Sequence, residues 1–192
     1  MGDAFFPGKT QGCQFAGKNG AIVYKDSEEY GFDESFSIYV EVFPQVLPRG
    51  GTSPAGQIVF RGDDRSGLDN YSLNLGEDGY FTFYFNSPDN QGAGVRVLAR
   101  MNQWQRLLAT FDAKSHMLKL YIDDFLMGQN SQPILPVTRM EKEFTPRFSI
   151  GNVQNPLGGN HNQPFHGGIR NVKLFNTAIF PDDADRTPKV KK

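Results

Sequence analysis

Apolar and polar residues alternate with a period of two through most of this 192-residue chain. In the segment SFSIYVEVF, the apolar residues Phe36, Ile38, Val40 and Val42 share one face of an extended chain. Successive side chains of a β-strand point to opposite faces, so such a run is typical of a strand with one face in a core. This pattern constrains the fold more than any other feature of the sequence.

The same alternation recurs between residues that favour turns. The predicted core-facing positions are Ile58 and Phe60, then Tyr71, Leu73 and Leu75, then Phe81, Phe83 and Phe85, then Leu107, Ala109 and Phe111, and then Leu118, Leu120 and Ile122. The sequence GEDG at 76–79 predicts a tight hairpin. RFSIGN and GGIRNVKLF predict two later strands, and only TRMEKEF favours a helical turn. About ten strands spaced by turns predict an all-β fold, an antiparallel two-sheet sandwich or jelly roll.

The composition agrees with a folded β domain and limits its partners. Hydrophobic residues make up 38% and charged residues 21%, which is enough apolar material for a core. Twenty Lys and Arg nearly balance 21 Asp and Glu, and no basic stripe carries interleaved aromatics, so we expect no nucleic-acid partner. The single cysteine, Cys13, cannot form an internal disulfide and is predicted to be a half-buried structural thiol.

Neither a membrane span nor a leader is predicted, because no apolar run is long enough and Met1 is not followed by a basic and then apolar stretch. Two localisations stay open: a cytoplasmic protein that acts where it is made, or a domain of a longer, exported and extracellular chain. Residues 1–180 are predicted to form one domain, and residues 181–192 a charged tail.

The order of the segments carries more information than any one of them. CQFAGKNGAIVYK is followed by YSLNLGEDGYFTFYF, WQRLLATFDAKSHMLKLYIDD, RFSIGN and FHGGIRNVKLF. This order resembles the laminin-G-like group of the concanavalin A-like lectins over roughly residues 12 to 180. The resemblance implies a jelly roll that binds carbohydrate or protein ligands through rim loops or a concave face, often beside calcium. Two positions depart from it: Gly168 replaces a cysteine of disulfide-bonded members, and Asp124 replaces a turn glycine.

No catalytic constellation is found, so we predict that the protein is not an enzyme. Glucanases of that superfamily carry their carboxylates as Glu-x-Asp-x-x-Glu on one strand, and this sequence has no such stretch. A Gly-x-Ser-x-Gly elbow is also absent. The histidines His116, His161 and His166 lie in predicted turns or loops without a neighbouring serine or cysteine motif.

Two polar loops hold the candidate ligand-binding residues. These are Arg65, Asp69, Asn70 and Tyr71 in the first loop, FRGDDRSGLDNY, and Asn160, His161, Asn162 and Gln163 in the second, NPLGGNHNQPFH. With Tyr80 and Tyr84 they offer the aromatic, amide and carboxylate groups that match a sugar, which predicts a glycan or glycoprotein ligand. The alternatives are a protein-protein interaction or adhesion module on the same loops, and tyrosines that are merely the solvent-side partners of the Phe face.

Calcium is the cofactor that the acidic residues suggest, because it takes carboxylate and amide oxygens. Asp63, Asp64 and Asp69 crowd the first loop, and Asn152 precedes the second. They would form a shell if the sandwich brought both loops to one rim. Ordinary turn capping by Asp and Asn is the alternative, because no regular ligand spacing is present.

The tripeptide Arg61-Gly62-Asp63 is the sequence that adhesion receptors grip in some extracellular proteins. Here it directly follows strand residues and shares its loop with oppositely charged side chains. Receptor recognition needs an exposed loop tip, so we expect an internally paired turn instead.

Overall fold

A computed structural model describes residues 12–49, 54–63, 65, 67–153 and 162–184. The strands in this part are β1 (Cys13–Ala16), β2 (Ile22–Lys25), β3 (Phe36–Pro44), β4 (Ala55–Gly62), β5 (Tyr71–Gly76), β6 (Tyr80–Asn86), β7 (Gly92–Leu98), β8 (Gln105–Asp112), β9 (Met117–Ile122), β10 (Phe125–Ser131), β11 (Arg147–Ile150) and β12 (His166–Phe175). Short 3-10 helices lie at Glu28–Tyr30, Lys142–Phe144 and Pro181–Asp183. The second is the helical turn predicted for TRMEKEF.

These strands form two six-stranded sheets packed face to face. Sheet A has the order β1-β12-β3-β8-β9-β10, and sheet B has the order β2-β11-β4-β5-β6-β7. Neighbouring strands pair antiparallel in both sheets. The predicted all-β antiparallel sandwich is confirmed. None of the helices in the described part is long and apolar enough to cross a membrane.

The core lies between the sheets, where the alternation places it. Phe36 is fully buried, and its ring lies 5.1 Å from Phe32, 5.6 Å from Phe83 and 6.0 Å from Phe111. Aromatic side chains bury large areas and prefer such stacked and edge-on contacts. Because the inner faces are filled, ligands have access to the outer faces and to the ends of the sandwich.

Strand β4 departs from the predicted alternation. Its register against β5 shifts just before Val59, which is a β-bulge. Ile58 and Val59 therefore both lie in the core, and Phe60 turns to the outer face. The prediction that Ile58 and Phe60 share the core face is wrong. Arg61 points inward instead, because it lies opposite the core residue Tyr71.

The segment after β12 folds back onto the outer face of sheet A. The Ser37 hydroxyl donates to the Thr177 carbonyl at 2.8 Å and accepts from the Ile179 amide at 3.0 Å. Ala184 packs in an apolar cluster with Tyr39 and neighbouring residues of the sheet. The predicted domain boundary at residue 180 lies within this segment, and residues 185–192 lie outside the described residues.

Candidate functional site

The two polar loops lie at opposite ends of the sandwich. The first loop follows β4 and the second follows β11, and these strands pair antiparallel with Arg147 opposite Gly62 and Ile150 opposite Val59. Antiparallel neighbours end at opposite edges of a sheet. A strand rises about 3.3 Å per residue, so the two ends of β4 lie on the order of 20 Å apart. One ligand the size of a metal ion cannot touch both loops.

Amide groups hold the ends of the second loop together. The fully buried Asn152 donates from Nδ2 to Asn162 Oδ1 at 2.6 Å, and its Oδ1 accepts from the Gln163 amide at 2.8 Å. Gln57 of β4 donates to Gln163 Oε1 at 2.7 Å. Asn152 therefore cannot join Asp63 and Asp69 around one ion, which corrects the prediction of a shared metal shell.

Of the other predicted residues of the second loop, only Asn162 and Gln163 lie within the described residues. Asn162 also donates to the side chain of Asn19 at 3.0 Å. Asn160 and His161 lie outside the described residues. The role of this loop in ligand binding stays a prediction.

Asn70 and Tyr71 of the first loop are fully buried. Asn70 donates to the Val137 carbonyl at 2.6 Å and accepts from Arg61 Nη1 at 2.8 Å. The Tyr71 hydroxyl donates to the Tyr30 carbonyl at 3.0 Å, and burial raises the pKa of Tyr71. Both side chains hold the protein together and have no surface to offer, which corrects the prediction that they contact a ligand.

The Arg61-Gly62-Asp63 tripeptide is paired internally, as predicted. The Asp63 side chain is fully buried and accepts from Arg65 Nε at 3.0 Å and from Arg65 Nη2 at 2.6 Å. The Arg61 side chain is 3% exposed and donates to the two carboxylate oxygens of Asp26 at 3.0 and 3.2 Å. Neither charged group is therefore accessible to an adhesion receptor.

Asp69 differs from its neighbours because its carboxyl group has no hydrogen bond or ion pair to any residue in the described ranges. Burial, and secondly the nearby Asp63 carboxylate, raises the pKa of Asp69 to about 7. Its Oδ1 packs against Gly62, where any Cβ would overlap it. A carboxyl group with a strongly shifted pKa and a vacant bonding capacity is a candidate functional group.

Tyr84 lies on the outer face of sheet B, near this loop. A Cβ at Gly92 would come within 2.6 Å of its ring, and one at Gly94 within 3.2 Å. The two glycines of β7 therefore make room for the ring to lie along the sheet surface. Ser72 is the cross-strand partner of Tyr84, and Asn74 lies two residues further along the same face. Ring, hydroxyl and amide together form the kind of polar and aromatic surface that sugars bind.

Asn86 connects Tyr84 to the first loop. Its Nδ2 donates to the Tyr84 hydroxyl at 3.1 Å and to Asn90 Oδ1 at 2.9 Å, and its Oδ1 accepts from the Asp69 amide at 3.2 Å. Asn90 Oδ1 also accepts from the Leu68 amide at 3.0 Å. These bonds fix the side chains of Tyr84, Asn86 and Asn90 relative to the backbone of the first loop. We call Asp69, Tyr84, Asn86 and Asn90 the Tyr84 site.

Sequence reasoning missed two residues of the Tyr84 site, Asn86 and Asn90. Both lie in NSPDNQ, where asparagines read as turn formers, so the sequence gives no separate signal for a second role. The outward orientation of Tyr80 and Tyr84, opposite the Phe face, is confirmed: Tyr80 is 38% exposed and lies under Arg96 at 4.9 Å. Arg65, the remaining predicted residue of the first loop, is held by Asp63 and by Glu141 at 3.2 Å.

Calcium fits the described residues only in part. No group of three or more His, Cys, Asp or Glu side chains able to hold a metal ion occurs among them. Asp63 is occupied by Arg65, Asp69 has an unbonded carboxyl group, and Asp64 lies outside the described residues. Calcium takes about six to eight oxygen ligands, so these side chains do not complete a shell.

A cleft of about 980 Å³ opens beside Arg61. Its walls come from the loop between β2 and β3, from Arg61 itself and from residues between Thr138 and Pro146. We call it the Arg61 cleft.

The sequence that forms this jelly roll matches the model of a known protein family. The Laminin_G_3 model, described as concanavalin A-like lectin/glucanases superfamily, matches residues 17–184. The chain belongs to this superfamily. The family predicted from the order of the sequence segments is therefore confirmed. No curated protein matches this concanavalin A-like domain significantly.

Solved structures share the fold of this concanavalin A-like domain at low sequence identity. The CBM40 of the Ruminococcus gnavus IT-sialidase, bound to α2,3-sialyllactose, superposes with a TM-score of 0.69 at 11% identity over 91% of this chain and 95% of its own. Domain 4 of AbnA, an extracellular GH43 arabinanase of Geobacillus stearothermophilus, in complex with arabinotriose, gives 0.66 at 17% over 96% and 80%. A putative carbohydrate binding protein of Bacteroides ovatus gives 0.59 at 16% over 84% and 42%.

Proposed function

We propose that this concanavalin A-like domain is a non-catalytic recognition domain that binds a glycan at the Tyr84 site. The observation that carries the proposal is the Tyr84 ring, laid along β7 by two glycines and bonded through Asn86 to the loop that holds Asp69. A sugar ring has an apolar C–H face and polar edges. The site offers an aromatic surface for the first and amide and carboxyl groups for the second.

Asp69 suits the recognition of a hydroxyl group. A carboxyl group with a pKa of about 7 is present in both forms near neutral pH. The protonated form donates one hydrogen bond and the ionised form only accepts. A sugar hydroxyl can both donate and accept, so it satisfies either form. Asn90, which is exposed, adds a second polar group to the site. Its side-chain oxygen already accepts from Asn86 and from the Leu68 amide, so its side-chain nitrogen is the group available to a ligand.

The structural neighbours support a glycan as the class of ligand. Two of them are carbohydrate-binding domains of glycan-cleaving enzymes with a sugar bound, and one of these enzymes is extracellular. We therefore propose that this domain also recognises glycan for an exported protein. Catalysis is left out of the proposal because the sequence lacks the paired carboxylates of the glucanases, and Asp63, whose charge acts on Asp69, is bonded to Arg65.

A protein ligand is the second candidate function. It is favoured by one observation, the exposed apolar start of strand β10, where Phe125 is 72%, Leu126 47% and Met127 57% exposed. Exposed apolar residues in a row often mark an interaction surface. This segment is not part of the Tyr84 site, so the two candidates can be separated by mutation.

A glycan array tests the proposal. The domain is applied with and without a chelator, beside the variant Tyr84→Ala and a Phe125→Ser control. Binding of wild type and of the control, with loss in Tyr84→Ala, supports the Tyr84 site. If folded wild type binds no glycan on the array, the result contradicts the glycan proposal and favours a protein ligand. Release of reducing sugar from a polysaccharide panel would contradict the non-catalytic part of the proposal.

A further inference from the structure

The Arg61 cleft lies on the other side of sheet B from the Tyr84 site. Arg61 is opposite the inward residue Tyr71, whereas Tyr84 is opposite the outward residue Ser72. We infer that the Arg61 cleft is a second ligand site, and that it takes a sugar residue bearing a carboxylate. This inference does not depend on binding at the Tyr84 site.

The guanidinium of Arg61 is fixed by four hydrogen bonds and has one hydrogen left to donate. Nε and Nη2 each donate to Asp26, and Nη1 donates to Asn70 at 2.8 Å and to the Thr138 carbonyl at 3.4 Å. A guanidinium has five N–H donors. These four bonds leave one hydrogen on Nη2 that no acceptor in the described chain takes up. Arg61 lines the cleft at this point.

Gly31 lies next to the guanidinium of Arg61, whose side chain is 3% exposed. Its backbone is extended, with φ −88° and ψ 130°, a conformation that any residue adopts. A Cβ at this position would lie 3.4 Å from both Nη1 and Nη2 of Arg61. The backbone therefore does not require glycine here, and any larger side chain would stand over the guanidinium.

The walls of the cleft carry an excess of unpaired positive charge. Lys25, Arg139 and Lys142 line it and form no ion pair within the described ranges. Asp26 balances Arg61, which leaves these three cations against the two acids Glu28 and Asp33. Charge-assisted hydrogen bonds from Arg and Lys to a carboxylate are among the strong ones. An anionic group is therefore attracted into this cleft.

The remaining lining fits a sugar better than a bare anion. Hydroxyl groups of Ser27 and Thr138 and the two acids can bond to ring hydroxyls, and Met140 and Pro146 add apolar surface. The cleft volume of about 980 Å³ is at the upper end of ordinary ligand sites, large enough for more than one sugar residue.

Isothermal titration of the whole domain with trigalacturonic acid and with its methyl ester tests this inference, since the two probes share one sugar chain and the ester lacks the carboxylate charges. The variants are Arg139→Gln with Lys142→Gln, which removes two wall charges, and Gly31→Val, which places a larger side chain between the guanidinium and the cleft. Gly31→Ser replaces the valine variant if that one does not fold. The controls are Lys18→Gln with Lys114→Gln, two exposed lysines elsewhere, and Tyr84→Ala. Triglutamate is the peptide probe.

We expect the acid to bind at least about tenfold more tightly than the ester, and both cleft variants to lose about tenfold in affinity. The lysine control and Tyr84→Ala should bind the acid like wild type. Equal affinity for the ester, no binding of the acid, or equal loss in the lysine control overturns the inference. Triglutamate binding as tightly as the acid also overturns it, in favour of an acidic peptide. Loss in Tyr84→Ala alone would assign the acid to the Tyr84 site.

Discussion

Asn86 donates a hydrogen bond of 3.1 Å to the hydroxyl of Tyr84. The same amide nitrogen donates to Asn90, and the amide oxygen accepts from the backbone of Asp69. One buried side chain thereby connects a residue on the outer face of sheet B to the first polar loop. Preorganised groups lose less freedom when a ligand binds, which favours recognition at this point.

Replacing Gly92 by alanine should disturb the Tyr84 site without disturbing the fold. A Cβ at residue 92 overlaps the Tyr84 hydroxyl and comes within 2.6 Å of the ring. The ring can move because it is only half-buried, so the free energy of unfolding should change by less than about 1 kcal/mol. Glycan affinity should fall by about tenfold.

The matched control for Gly92→Ala is Gly76→Ala, whose Cβ would meet chiefly the flexible carboxylate of Asp78. Glycan affinity and denaturant unfolding are measured on both variants. Wild-type affinity in Gly92→Ala would show that the position of the Tyr84 ring does not matter for the ligand.

Asp69 should make the folded state less stable as the pH rises. Its pKa is about 7 in the folded protein and 3.8 without burial, so the folded state holds the proton more tightly. The stabilisation is then fully present below pH 4 and is lost between about pH 4 and 7. Asp69→Asn removes this dependence and should be the more stable protein at pH 8 by a few kcal/mol. Unfolding midpoints of both proteins across pH 4 to 8 check this, and parallel profiles would contradict it.

Calcium assistance, predicted from the acidic loop, has a specific signature if Asp69 is a ligand. A proton and a cation compete for the same carboxyl group, so any rise in melting temperature with calcium must grow from pH 5 to pH 8. It must also vanish in Asp69→Asn. A calcium effect that depends on neither pH nor Asp69 would place the ion elsewhere in the protein.

Arg61 should contribute to stability and not to cell adhesion. Removing one partner of a buried ion pair leaves the other without compensation, and because Asp26 is only partly buried we expect the lower end of the range for such pairs, about 3 kcal/mol. Arg61→Ala, which leaves Asp26 and Asn70 without their partner, should destabilise the domain by about this amount in denaturant unfolding.

Asp63→Glu, which would abolish receptor recognition, should leave the adhesion of integrin-bearing cells to the domain unchanged. A drop in adhesion would mean that the tripeptide is presented.

Most of the fold could be predicted from the alternation of apolar and polar residues. Phe36, Phe83 and Phe111 were identifiable as core residues because a half-buried strand repeats every two residues. The alternation failed at Phe60, because a bulge adds one residue to β4 and nothing in the local sequence marks it.

The candidate site was less predictable, because it depends on contacts between distant segments. Tyr71 and Asn70 look like ligand-binding residues from their chemistry, and only their partners Tyr30 and Val137 show that they are structural. Placing Asn152 away from Asp69 required the antiparallel pairing of β11 with β4. Local spacing contains none of this information.

The central claim is that Tyr84 is the surface on which a glycan rests. The most direct measurement is isothermal titration of the best array ligand against wild type, Tyr84→Ala and Tyr80→Ala, a tyrosine of the same face that lies under Arg96 instead. We expect Tyr84→Ala to lose at least about tenfold in affinity while Tyr80→Ala stays within about twofold of wild type. Equal affinities of all three folded proteins would contradict the account.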